Sequence, residues 1–291
     1  SLAIAFWPDP KGLGRKAQLA LLTSDPAKLA PAAFADQSVA ARGLTGLERL
    51  LWPDEPLPAD PCPLIRATAS DLARLATEIH DGWTGGHADL LLGSQAGAVL
   101  EAQVLAGNGR FRGVRNSSVW HEDPSIRGTP HVPPKGMLLD QTFHEGFAQL
   151  APLGLSFDGW MWWTQIQEFA ALADAFPATR LVLDHFGGIL GVGAHAGKLA
   201  DDFPHWRAAI RDVAKRPNVA IKLGGLAMRT AGFALREQER PASSQELAGL
   251  WRPYFETCVE AFGAERCMFE SNFPVDKVCV RYDTLWNAFK R

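Results

Sequence analysis

His185 is the residue whose neighbours best prepare it for chemistry. It follows the apolar run Leu181-Val182-Leu183 and the acid Asp184, and the chain then turns through Gly187-Gly188. An imidazole held at such a strand end can serve as a base, a carbonyl polariser or a metal ligand. Comparable positions recur along the chain. Arg115 closes the run Arg110–Arg115, and Asp158 closes Leu155-Ser156-Phe157. Lys222 lies in Val219–Leu223 ahead of Gly224-Gly225, and Glu270 ends Cys267-Met268-Phe269 with Asn272 and Asp276 just beyond. Arg115 can clamp a carboxylate through two parallel hydrogen bonds. Lys222 can meet a developing oxyanion. Trp160, opening Trp160-Met161-Trp162-Trp163 directly after a strand, offers an aromatic pocket wall or ordinary packing. A single charge at a strand end is commonly the solvated start of a loop; the recurrence of the pattern is what points to a site.

The elements that must position these groups follow from periodicity. Residues 87–291 alternate short apolar runs with helical spacing about six times. The expected strands are His87–Leu92, Arg110–Arg115, Leu155–Asp158, Leu181–His185, Val219–Leu223 and Cys267–Glu270. Short apolar strands separated by helices read as a parallel sheet buried on both faces. No strand is followed by G-x-G-x-x-G, which lowers the dinucleotide-binding reading. Polar residues at the strand C-termini favour a (β/α)8 TIM-barrel-like fold, incomplete or irregular in its N-terminal part. Asp140 reads as a helix N-cap, and Ser243-Ser244-Gln245-Glu246 as a capping box opening a helix bent or interrupted at Pro253. Residues 1–86 form an irregular segment that contributes to or precedes the barrel. Leu19–Leu22 is their one good strand candidate, Ser70–His80 a short helix, and the proline-rich stretch 52–63 a linker or long loop.

Composition narrows the function classes. The 291 residues are 47% hydrophobic and 21% charged with a formal net charge of −3, which is globular and gives no electrostatic case for nucleic acid or an anionic membrane. No apolar run reaches the ~18 residues of a membrane span. Cys62, Cys258, Cys267 and Cys279 form no C-x-x-C pair, so reduced thiols and a cytoplasmic location are expected. The first residues lack a basic n-region and meet Pro8 early, against a signal peptide. His121, His131 and His144 match no compact metal motif and read as surface histidines.

Five segments then occur in order: Gly109–Arg115, Leu155–Asp158, Val182–Gly188, Val219–Leu226 and Arg266–Asp276. Together they resemble the amidohydrolase-2 family of TIM-barrel metal-dependent hydrolases, with lactonase and decarboxylase relatives. The resemblance implies hydrolysis, or non-oxidative decarboxylation, of a small carboxylated substrate such as a lactone. It assigns His185 to the histidine after the family's sixth strand. It places Asn272 where relatives carry the water-activating aspartate of an S-D-x-P motif, so the base role passes to Asp276 or His185. Arg115, Asp158, Trp160 and Lys222 are the expected substrate-binding residues. The family's H-x-H pair is absent, and Trp163 stands where close relatives have a histidine. The metal site is therefore incomplete, with His185 its remaining ligand, and either no cofactor or a weakly bound divalent metal is expected. The alternative is a non-catalytic barrel that binds a small carboxylated ligand. A small molecule is the expected partner, and an exposed tryptophan cluster would be compatible with a homodimer.

Overall fold

The computed structural model describes residues 85–86, 88–107, 109–126 and 132–291. The expected strand at Leu19–Leu22, the helix at Ser70–His80, the proline-rich stretch, and His87, His131 and Cys62 lie outside the described residues.

Among the described residues six strands form one parallel sheet: β1 (Gly85–Gly86), β2 (Gly113–Ser117), β3 (Ser156–Trp160), β4 (Leu181–Leu183), β5 (Val219–Leu223) and β6 (Cys267–Phe269). Each pairs with the next strand in the chain. A doubly wound sheet must reverse its strand order at a switch point, and this sheet never does. Parallel crossovers are right-handed, so an unreversed order keeps the helices on one face, as in a barrel. The main helices are α1 (Ala96–Ala106), α2 (Gln141–Phe147), α3 (Ile166–Ala175), α4 (Leu199–Val213), α5 (Ser244–Phe262) and α6 (Tyr282–Phe289). They follow β1 to β6 in turn, and α3 packs on α4, α4 on α5 and α5 on α6. This is the α/β barrel-type architecture expected from the alternation of runs. No helix among the described residues is long and apolar enough to cross a membrane.

Side-chain alternation sorts core from site. Along β5, Val219, Ile221 and Leu223 are buried while Ala220 and Lys222 are half-buried. Leu181 and Leu183 flank the half-buried Val182 in the same way. With a period of two, one face of the sheet packs on the helices and the other carries Arg115, Asp158 and Lys222. The expectation that both faces are buried therefore needs correction: the face bearing the charges is the more open one.

Local signals explain the helix ends. Asp140 accepts a hydrogen bond from the Phe143 N–H at 3.0 Å and starts α2. Ser243 and Glu246 cap each other reciprocally at the start of α5. That helix runs unbroken through Pro253, contrary to the expected interruption. Trp251, Cys258 and Phe262 bury one stripe of it in the core, which outweighs the single backbone bond that proline removes. The expected strand at His87–Leu92 is also corrected. Asp89 accepts from the Leu91 N–H, and Leu90–Gln95 coils as a 3-10 turn after a strand at Gly85–Gly86. The second strand lies slightly later than its apolar run indicated, at Gly113–Ser117.

Candidate active site

The strand ends bring most of the sequence-selected residues together. Arg115 of β2 is in register with Asp158 of β3, and Lys222 lies on the same face of β5. Asp184 ends β4 and is fully buried. Lys222 sits between two acids, 2.9 Å from an Asp184 oxygen and in close contact with Asp158. The Arg115 Nε lies 3.2 Å from the other Asp184 oxygen. Two cations and two carboxylates thus form one neutral network at the sheet's C-terminal edge.

Their ionisation follows from this arrangement. Burial works against the Asp184 charge, but Arg115 and Lys222 hold its carboxyl below the ordinary range. Burial also opposes the Lys222 charge, and Asp184 and Asp158 more than offset it, keeping the ammonium protonated. Asp158 is displaced the other way: burial, then the neighbouring Asp184 charge, push its carboxyl up.

His185 joins this network. Its Nε2 accepts from the Arg115 guanidinium at 3.1 Å, and its Nδ1 lies 2.5 Å from Glu270. The Trp160 ring meets the imidazole edge-on, with centroids 4.8 Å apart. The backbone at His185 and Phe186 is left-handed, with φ of 52° and 56°. That conformation costs non-glycine residues energy and is held here by the surroundings. The Trp206 indole contributes by donating to the Phe186 carbonyl at 2.8 Å. The glycine pair after β5 makes room for both partners. A Cβ on Gly224 would lie 2.3 Å from the Glu270 carbonyl oxygen, and one on Gly225 would lie 2.9 Å from His185 Nδ1.

Asn272 and Asp276 complete the cluster. Asn272, with φ of 52°, donates its side-chain amide to Asp276 at 2.8 Å. The Ala227 N–H donates to the other Asp276 oxygen at 3.3 Å. Burial pushes the Asp276 carboxyl up to about 7, although the Asn272 hydrogen bond and the nearby His185 pull it down. Ala227, which holds Asp276, also lines a cleft of about 160 Å³ together with Val192, Met228, Phe233, Leu235 and Cys279.

Some expectations change. Trp160 and Trp162 are buried and Trp163 is half-buried. Trp160 ends β3 rather than following it, and Trp160 and Trp162 pack with Val119, Ile126 and Leu190. His121 and His144 are half-buried rather than surface groups. His144 bonds the Leu138 carbonyl at 2.8 Å, and His121 meets His195 at 3.3 Å. Nothing in the sequence signalled that second contact, because 74 residues separate the two histidines.

Among the described residues the donor set does not fit a metal. Among the described residues no three His, Cys, Asp or Glu side chains converge on one point. His185 is flanked by Arg115 and Glu270, and Lys222 fills the space between Asp158 and Asp184. The Lys222 ammonium already stands between the two carboxylates as their counter-ion.

Comparison with known proteins agrees with the fold and the motifs. The amidohydrolase family model matches residues 58–291, and an imelysin family model matches residues 1–113, overlapping it. The chain is 34% identical over 203 residues to the uncharacterized protein y4mH of Sinorhizobium fredii, covering 67% of this chain and 57% of that protein. It is 29% identical over 154 residues to an L-fucono-1,5-lactonase of Burkholderia multivorans, covering 52% and 48%. The chain therefore spans about half the length of these curated relatives. A crystal structure of an amidohydrolase from Burkholderia multivorans with bound zinc superimposes with a TM-score of 0.58 at 24% identity, covering 78% of this chain and 72% of that one. From the extent of the family match, the chain belongs to the amidohydrolase family.

Proposed function

We propose that this chain hydrolyses a small carboxylated substrate of the lactone type. The observation that carries the reading is Asp276. It is a buried carboxyl at the barrel mouth, oriented by Asn272 and the Ala227 N–H, and poised to exchange a proton near neutral pH. In its ionised form it takes a proton from a water attacking the acyl carbon. The tetrahedral intermediate then collapses, the ring C–O bond breaks, and Asp276 returns the proton to the departing oxygen. One water and one lactone give one hydroxy acid.

The charged network supplies the rest. Arg115 has the side-chain exposure to meet a substrate carboxylate, at 39%, while the wholly buried Asp184 anchors its other edge. Lys222 is held protonated on the same face and favours charge developing on the carbonyl oxygen. Trp160 closes one side of the site against His185. The likeness to an L-fucono-1,5-lactonase supports a sugar-acid lactone as the first substrate class to test.

The test is a screen of the purified chain against sugar-acid lactones by pH-stat titration, with and without added divalent metal. Proton release above the uncatalysed rate, lost in Asp276→Asn, supports the proposal. Saturable binding without turnover would support a binding barrel instead, the reading that Asn272 favours because an amide cannot accept the water's proton. Release of carbon dioxide from a carboxylated substrate without ring opening would point to a decarboxylase.

A further inference from the structure

Away from the charged network, a directional chain of hydrogen bonds joins the loop after β2 to the loop after β4. The Asp123 N–H donates to His121 Nδ1 at 3.0 Å. His121 Nε2 meets His195 Nε2 at 3.3 Å, and His195 Nδ1 meets an Asp202 oxygen at 2.7 Å. Asp202 lies in the first turn of α4. The direction is set at both ends. A backbone N–H can only donate, so His121 Nδ1 is an acceptor and its proton is on Nε2. A carboxylate can only accept, so His195 carries its proton on Nδ1 and offers the Nε2 lone pair to His121. The two imidazoles are thus neutral and in opposite tautomers. A second bond runs parallel, from the Ala194 N–H to the other Asp123 oxygen at 3.1 Å.

We propose that the His121–His195 pair is a proton-sensitive clasp that fastens the loop after β2 to the loop after β4 at neutral pH and releases it in acid. These loops leave the strands that carry Arg115 and lead to His185, so the clasp governs the freedom of the segments flanking the charged network. The inference does not depend on the proposed reaction.

One added proton is enough to break the link. If it enters at His195 Nε2, two N–H groups face each other across the contact, and His121 loses its acceptor. If it enters at His121 Nδ1, that nitrogen can no longer accept from the Asp123 N–H. The surrounding charges favour the first route. His195 faces Asp202 and His121, with the uncharged Trp163 ring edge-on at 5.9 Å. His121 faces Glu122 and Asp123 of its own loop and His195 across the gap. Burial, then His195, push its pKa below the ordinary imidazole range, against the two acids. Tyr254 of α5 lies near Asp202 and stays neutral, because burial and that carboxylate push its phenol up to about 12. A proton at His195 Nε2 would set the imidazolium against the Asp202 carboxylate and leave the His121 Nε2–H without its acceptor.

The test is nitrogen-15 NMR of the histidine side chains in the whole chain, with His121→Gln and His195→Gln used to assign signals. At pH 8 His121 is expected as the Nε2–H tautomer and His195 as the Nδ1–H tautomer. Amide hydrogen exchange then reads the clasp. The protection factor of the Ala194 N–H, which bonds across the two loops to Asp123, should fall about tenfold between pH 7.5 and pH 5.5 once corrected for intrinsic exchange. The same amide should show low protection at both values in His195→Gln, with the circular dichroism spectrum retained. Finding both histidines in the same tautomer at pH 8 would overturn the proposal. So would an Ala194 protection factor that is unchanged in acid in the wild-type chain.

Discussion

Asn272 donates its side-chain amide to Asp276 across 2.8 Å, so position 272 serves the carboxyl four residues further on. The left-handed backbone at Asn272 aims the amide back at that oxygen, and the Ala227 N–H holds the other one. An amide stands here as a donor to an acid, so under the proposed reaction the proton transfer falls to Asp276.

Asp276→Asn is expected to lower kcat/KM at least ~100-fold on any substrate the chain turns over, and to abolish the rise of rate with pH centred near 7. The same variant carries a stability signature. A carboxyl whose folded pKa is raised from 3.8 to about 7 binds more protons folded than unfolded, so wild-type stability falls as pH rises through that window. Urea unfolding should show Asp276→Asn gaining on the wild type from pH 5 to pH 8. Parallel curves over this range would mean that Asp276 ionises normally.

Asn272→Asp would replace a donor with a second carboxyl facing Asp276. Two acids at that distance cannot both ionise cheaply, so the pair should share a proton. We expect the apparent pKa governing activity to rise above the wild-type value. Loss of stability should be larger at pH 8 than at pH 6. A pH–rate profile superimposable on the wild type would show that the two side chains do not meet.

Lys222→Met leaves Asp158 and Asp184 facing each other without their shared cation. Removing one partner from a buried charged group typically costs ~3–5 kcal/mol. Denaturant unfolding at pH 7 should show a loss of this order, partly recovered in the double variant Lys222→Met/Asp158→Asn. If the double variant is no better than the single one, the loss does not come from the unpaired acid.

Gly225→Ala tests the placement of His185. Its φ is 86°, and a Cβ there would meet His185 Nδ1 and Cβ at 2.9 and 3.0 Å. The strained backbone and the crowding together should cost ~1–3 kcal/mol and turn the imidazole away from Glu270. We expect kcat to fall more than KM rises. A variant with wild-type stability and kinetics would show that the contact is not tight.

The sequence itself determined the order of the elements and the end of the sheet at which chemistry gathers. Apolar runs such as Leu181–Leu183 and Val219–Leu223 alternate with helical periods, and a parallel strand must deliver its C-terminal residues to one edge. Caps such as Asp140 and Ser243 were equally legible, because a cap is a local hydrogen bond between residues three apart. Motif order along residues 87–291 was enough to indicate the family. What the sequence could not fix was pairing. That Lys222 stands between Asp158 and Asp184, that Glu270 reaches His185, and that His121 meets His195 depend on contacts across 38 to 85 residues of chain. Only the register of the strands and the turns after them set those distances. The same holds for Asp276: no pattern of residues reveals a carboxyl's pKa, because burial and the direction of a neighbouring amide are properties of the folded chain.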